Sequence, residues 1–291
     1  MQNPAIEKKL FLKELEKICR LGLKEDKALN DITSDLTIIN QRNISFQIVA
    51  REEIILCGID AIQLCFDELT KSPKFKNIFL ALQFIAKDGE VIKPQALIAQ
   101  GFGDARLILA AERVILNLLQ HLSGIATSTN QFVTALNNKK IKVLDTRKTL
   151  PGLRTLQKHA VRVGGGQNHR FNLSDLILIK DNHIAAAGSV SNAINAAQKS
   201  KKKLKIEVEC DTVKQVAEAV KSKPDIIMLD NMKLSEIKKS IKIINKKSQI
   251  EISGGINLQT IKNFSDLEID FISAGSITHS VRAVDIGLDI I

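Results

Sequence analysis

The sequence predicts an α/β barrel that follows a smaller α+β domain, and three observations carry this reading. Six short β-rich runs each end in a polar residue or glycine: IKVLDT (141–146), LILIKDN (176–182), KIEVEC (205–210), IIMLDN (226–231), IEISGG (250–255) and FISAGS (271–276). Helical patterns such as VSNAINAAQKS (190–200), TVKQVAEAVKS (212–222) and SEIKKSIKIIN (235–245) lie between them. The runs therefore start about 20 to 35 residues apart, as successive βα units require. Near-continuous apolar strands alternating with helices demand a parallel sheet covered on both faces. Third, the early GxGxxG of an open dinucleotide-binding sheet is missing, since Gly164–Gly166 runs into Gln-Asn-His-Arg instead. A barrel fits better than a doubly wound sheet, and it carries its chemistry at the C-terminal ends of its strands.

The first hundred residues read differently. A helix over 5–23 precedes DITSDLTI, and the runs at 44–58, 77–92 and 96–104 suggest an antiparallel sheet with helices. Asp88-Gly89 is read as a hairpin turn. ARLILAAERVILNLLQHLSGIAT then forms a long helix. Val114, Ile115, Leu118, Leu119 and Leu122 make its apolar stripe, while Arg113, Asn117 and His121 share another face. Gly124 is read as its C-terminal stop. The domain join is placed at this helix, giving an N-terminal domain of 1–112 and a barrel domain of 113–276, with 277–291 packing back on the first.

Composition narrows the class. At 291 residues, with 44% apolar and 25% charged residues, the chain has ample material for a core. No run approaches the roughly 20 apolar residues of a membrane span. MQNPAIEKKLFLKELEKICR lacks a signal peptide's apolar stretch, so a cytoplasmic location is expected. Cys19, Cys57, Cys65 and Cys210 lie far apart, which argues for reduced, buried thiols, Cys210 included. The net charge of +10 invites a nucleic-acid reading. Much of it is diffuse lysine, however, and without Trp or Tyr no stacking platform beyond Phe and His is on offer. A basic nucleic-acid-binding barrel, with steeply salt-dependent affinity, is the weaker alternative.

The segment Asp145–Arg170, DTRKTLPGLRTLQKHAVRVGGGQNHR, holds Arg147, Lys148, Arg154, Lys158, Arg162, Arg170, His159 and His169 against one acid, Asp145. Arginine's fork and lysine's point charge suit an anionic ligand. Lys180, Glu207, Glu209 and Asp230 lie towards the ends of strands. Alternation puts Glu207 and Glu209 on one face, where burial would demand nearby cations or a metal. Ser253-Gly254-Gly255 and Ala274-Gly275-Ser276 follow the last two strands and offer backbone amides to a phosphate. Arg154, Lys158 and Arg162, at helical spacing, are read as a solvated or ion-paired face. His183, His279, Asp181 and Asn182 are assigned structural hydrogen bonds. These residues describe a barrel for polyanionic small molecules and leave the reaction open.

The blocks AERVILNLLQHLSGIAT, DTRKTLPGLR, KHAVRVGGGQNHR, LILIKDNHI, IEVEC, IMLDNM, ISGGI and FISAGSITHS, in that order, resemble quinolinate phosphoribosyltransferases. The resemblance implies an α/β type II phosphoribosyltransferase fold: an N-terminal α/β sandwich domain plus an incomplete, seven-stranded α/β barrel. It implies a Mg²⁺-dependent reaction of quinolinate with phosphoribosyl pyrophosphate, giving nicotinate mononucleotide, pyrophosphate and CO₂ on the route to NAD, in a homodimer. Carried over, Arg147, His169 and Arg170 take the quinolinate carboxylates, with Arg113 supplied across the dimer interface, and Arg170 and Arg113 act as clamps. Lys148 and Lys180 serve the phosphates and the reacting region. Glu209 and Asp230 hold ribose hydroxyls and meet the metal through pyrophosphate. Ser253, Gly254, Gly255, Ala274, Gly275 and Ser276 receive the 5′-phosphate. A diverged paralogue, such as the molybdenum-transport-associated homologue, would share the fold, but the intact Arg147, His169, Arg170 and Lys180 set argues against it.

Overall fold

The computed structural model describes residues 4–201 and 203–291. In chain order the elements are α1 (Pro4–Glu25), α2 (Ile32–Thr37), β1 (Asn43–Ala50), β2 (Ile54–Ile55), α3 (Asp60–Thr70), β3 (Leu80–Phe84), β4 (Val91–Ile92), β5 (Leu97–Asp104) and α4 (Ala105–Leu136). There follow β6 (Lys142–Leu144), α5 (Arg154–Val163), β7 (Ile177–Ile179), α6 (Asp181–Ala187), α7 (Val190–Gln198), β8 (Ile206–Cys210), α8 (Val213–Ser222) and β9 (Ile226–Asp230). The last are α9 (Leu234–Ile244), β10 (Gln249–Ser253), β11 (Phe271–Ser273), α10 (Ser276–His279) and β12 (Ile286–Ile290). The chain divides into two compact units, one of 1–130, 150–165 and 281–291, the other of 131–149 and 166–280.

The first unit is built on an antiparallel sheet of order β12-β1-β5-β3, with α1 and α3 packed together. The C-terminal strand β12 pairs with β1, Phe46 opposite Ile290 and Ala50 opposite Ile286. Two expectations are corrected here. Asp88-Gly89 forms a turn, with Gly89 at φ +90, but no hairpin, because β3 pairs with β5 and β4 with β2. Asp88 instead accepts the backbone N–H groups of Gly58 and Ile59, each at 3.0 Å. Gly124 does not stop α4, which runs 32 residues through it. Its role is close packing, since a Cβ there would sit 2.4 Å from the Arg282 carbonyl oxygen. The division of the chain likewise differs from a cut at 112/113. An unbroken helix spans that point, and α5 returns to the first unit.

The second unit holds a six-stranded parallel sheet of order β6-β11-β10-β9-β8-β7. All six strands coincide with the six β-rich runs of the sequence. The seventh strand of the expected barrel is reduced to one parallel bridge between Leu144 and Gln167. Glycines and amides around Gln167 have little strand propensity and few side chains to pack, so pairing stops there. The helices start where their caps dictate. Ser189 accepts from the Asn192 N–H at 3.0 Å, and Thr212 accepts from the Gln215 N–H while Gln215 Oε1 accepts back from the Thr212 N–H. Every residue of β8 is buried. Alternation sends Ile206, Val208 and Cys210 to one face and Glu207 and Glu209 to the other.

Candidate active site

Because the six strands are parallel, Asp145, Lys180, Glu209, Asp230, Ser253 and Ser273 reach the same edge of the sheet. Adjacent strands bring them into register, with Ser253 opposite Asp230 and Glu209 opposite Met228. The Lys180 ammonium lies 2.5 Å from Glu209 Oε2. Glu209, Asp211 and Asp230 can present carboxylate oxygens within 4.8 Å of one another. Desolvation, then the neighbouring Asp230 and Asp181 charges, raise the Asp211 pKa from its ordinary value. Asp211 went unnoticed in the sequence because it lies just past the end of its strand.

Next to this acidic group stand the two glycine loops. They are neighbours because β10 and β11 pair in parallel, Ile252 opposite Ile272. Gly254 has φ +86 and lies so close to Asn231 that a Cβ would come 2.3 Å from its Oδ1 and 2.6 Å from its backbone N. Asn231 also adopts positive φ and donates its N–H to the Ser253 carbonyl at 3.1 Å. Gly255, at φ +62, faces open space. On the second loop the Ser276 Oγ is buried with no hydrogen-bond partner. A Cβ on Gly275 would lie 3.3 Å from Lys148 Cδ. Lys148 is thus held beside this loop, and its carbonyl accepts from Thr278 Oγ1 at 2.8 Å.

The third cluster surrounds His169. Buried Asp145 accepts the His169 backbone N–H at 2.9 Å and an N–H of Asn168. The His169 ring places Nε2 3.1 Å from Glu207 and 3.6 Å from Glu251, both glutamates being almost wholly buried. Burial, then the Glu207 charge, pushes the Glu251 carboxyl up to about 8. Burial and the neighbouring Arg147 lower the Arg170 pKa. The Arg147 Nε is buried without a partner. Two guanidinium groups near enough to repel each other, one with an unspent donor, suit an anion. Glu251 and Asp145 were not recognised as site residues from sequence. The signal for Glu251 was present, an acid in the middle of an apolar strand.

Other residues named from the sequence lie in the first unit or make local hydrogen bonds. Arg113 is exposed on the α4 portion of the first unit. Arg154, Lys158 and Arg162 lie on α5, also in the first unit. Lys158 is buried there, which excludes the solvated alternative for it, while Arg162 pairs with Glu7, as the ion-paired alternative expects. His183 Nδ1 accepts the Lys180 N–H at 3.0 Å, and His279 Nδ1 lies 2.6 Å from Ser280 Oγ. Cys210 is buried with its thiol pushed up to about 12, so it offers no nucleophile. All four cysteines are free and buried. A cavity of about 1040 Å³ in the second unit opens at the N-terminal ends of the strands beside Ile141, Ile250 and Asp270, away from these groups. Among the described residues no helix is long and apolar enough to cross a membrane.

Comparison with known proteins adds an independent line. The quinolinate phosphoribosyl transferase N-terminal domain matches residues 31–123 and its C-terminal domain residues 125–289. The probable carboxylating nicotinate-nucleotide pyrophosphorylase of Methanocaldococcus jannaschii is 45% identical over 285 residues, covering 94% of this chain and 96% of that protein. The corresponding probable enzyme of Bacillus subtilis is 41% identical, covering 95% and 93%. A crystal structure of nicotinate-nucleotide pyrophosphorylase from Ehrlichia chaffeensis superposes with a TM-score of 0.88 at 41% identity, covering 94% of this chain and 98% of that one. With both domains matched in order and such identities holding over nearly its whole length, the chain belongs to the quinolinate phosphoribosyltransferase family.

Proposed function

We propose that this enzyme transfers the phosphoribosyl group of phosphoribosyl pyrophosphate to quinolinate, releasing pyrophosphate and CO₂ and forming nicotinate mononucleotide for NAD synthesis. One observation carries the reading: an acid cluster with its lysine, two glycine loops and an arginine pair gather at one edge of one sheet. Each matches one part of the two substrates.

The pyridine nitrogen attacks the anomeric carbon as the bond to pyrophosphate breaks. Positive charge develops on the ribose and negative charge on the departing oxygen, so fixed acids near the sugar and cations near the leaving group lower the barrier. Glu209 and Asp230 take the ribose hydroxyls. Lys148 and Lys180 face the phosphates and the reacting region. The amides of Gly254, Gly255 and Gly275, with Ser253, Ala274 and Ser276, receive the 5′-phosphate. Arg147, Arg170 and His169 take the carboxylates. Once the nitrogen is quaternary, the bond from the ring to the adjacent carboxyl group breaks, its electron pair stays on the ring carbon beside the pyridinium, and a proton adds there.

Glu209, Asp211 and Asp230 supply only oxygen donors, close enough together to share one ion, which suits a hard divalent cation. Mg²⁺ at this point would neutralise charge on the leaving pyrophosphate. We further propose a homodimer in which Arg113 of one protomer clamps the diacid held by the other. Four free, buried cysteines suit a reducing compartment, and we place the enzyme in the cytoplasm.

The test is to incubate the purified protein with phosphoribosyl pyrophosphate, Mg²⁺ and quinolinate and to measure CO₂ release. Nicotinate in place of quinolinate should give little product, because half of the arginine clamp stays unfilled. Equal turnover of the two acids would overturn the substrate assignment.

A further inference from the structure

Nothing in the reaction requires two buried glutamates beneath His169, and an apolar pair would pack there at lower cost. Glu207 on β8 and Glu251 on β10 project from strands separated by β9, yet both carboxyl groups come within 3.6 Å of the same ring nitrogen. The opposite nitrogen settles which way the ring is protonated. His169 Nδ1 lies 2.7 Å from the backbone N of Arg170. A peptide N–H only donates, so Nδ1 is the acceptor and the ring proton of the neutral imidazole sits on Nε2, facing the glutamates. His169 is therefore held by its own N–H to Asp145, by Nδ1 to the Arg170 N–H, and by Nε2 to Glu207 Oε1 at 3.4 Å, with the Glu251 carboxyl just beyond hydrogen-bond reach at 3.6 Å.

We propose that Glu251 is a positioning residue which, with Glu207, forms a buried carboxyl floor that holds His169 in its Nε2–H tautomer and thereby sets the Arg170 peptide and guanidinium beside Arg147. The proposal rests on the reading that this arginine pair binds the diacid. The raised pKa of Glu251 is consistent with it, since a protonated Glu251 can donate its O–H to the neighbouring Glu207 carboxyl, the group that faces Nε2–H. Glutamine, neutral and of the same shape, reproduces that state with an amide N–H in place of the carboxyl O–H, whereas leucine fills the space without a donor to Glu207.

The test combines ¹⁵N NMR of histidine-labelled, ligand-free protein with kinetics of Glu251→Leu and Glu251→Gln. In the wild type, the His169 signals, assigned with a His169→Gln control, should show the Nε2–H pattern. Glu251→Leu should shift them towards a mixture of tautomers. It should also raise the KM for quinolinate about tenfold, the usual loss when a buried polar group is deprived of its partner. The KM for phosphoribosyl pyrophosphate should stay near that of the wild type, and Glu251→Gln should restore both the tautomer and the quinolinate KM. An Nδ1–H pattern in the wild type, an unchanged quinolinate KM in Glu251→Leu, or equal weakening of both substrates would overturn the proposal. The NMR arm needs no turnover, so a wild type that fails to consume quinolinate would count against the reaction and leave the tautomer result standing.

Discussion

Lys180 Nζ and Glu209 Oε2 lie 2.5 Å apart, joining the end of β7 to the end of β8 at the edge where the acids gather. The lysine side chain is 45% exposed and the glutamate 10%, so the pair faces solvent on one side and the sheet on the other. Such a half-open pair contributes little to folding and much to the charge that a ligand meets.

Replacing Lys180 by Ala should accordingly lower kcat/KM by about 10²–10³-fold, the scale of losing one preorganised electrostatic contact to a transition state. Stability should change by less than about 1 kcal/mol, since more than a third of the lysine is in water. Steady-state kinetics beside a urea titration separates the two effects. A variant that is markedly unstable but catalytically normal per folded molecule would assign Lys180 a structural role.

If Arg113 serves the neighbouring protomer's site, two inactive variants should complement each other. Arg113→Ala and Arg147→Ala, mixed after dissociation and reassociation, would form hybrids with one intact site and one doubly defective site. Random pairing should then restore about a quarter of wild-type activity. No recovery from a mixture shown to contain hybrids would place Arg113 in its own protomer's site or outside the site altogether.

Glu251 makes stability depend on pH in a definite direction. Its carboxyl ordinarily titrates near 4.5 and is pushed up to about 8 by burial and Glu207. The folded protein therefore binds more protons than the unfolded chain between those values, and stability falls as pH rises through that window. The contribution is fully present below 4.5 and lost above about 8. Glu251→Gln cannot ionise, so its urea-unfolding free energy should decline less than that of the wild type between about pH 5 and pH 8.5. Parallel curves would show that Glu251 titrates normally.

The two glycines of the 253–256 loop should respond unequally to a methyl group. Gly254→Ala drives a Cβ into Asn231, its Oδ1 and backbone N, at a φ of +86. We expect a loss of about 2 kcal/mol in stability from the strained backbone and the overlap together. The KM for phosphoribosyl pyrophosphate should rise as the loop shifts. Gly255→Ala meets nothing within 4 Å and keeps a φ of +62, so its cost should stay near 1 kcal/mol. Thermal melts of the two variants compare these effects directly.

The sequence by itself determined the parallel sheet. Each β-rich run became a strand, and each amphipathic segment between runs became a helix within a residue or two, because alternation of apolar strands with helical stripes is a local property. It also determined which residues reach the strand ends, since parallel strands place all their C-termini on one edge. It misread Asp88-Gly89 and Gly124, where a turn residue does not say which strand its neighbour will pair with, nor a glycine whether it ends a helix or admits a close backbone. Only the tertiary structure decided that Lys158 would be buried on α5 and that Glu251 would meet Glu207 beneath His169. The second placement joins residues 38 or more positions apart, and no periodicity along the chain records which side chains face one another once the sheet has curled.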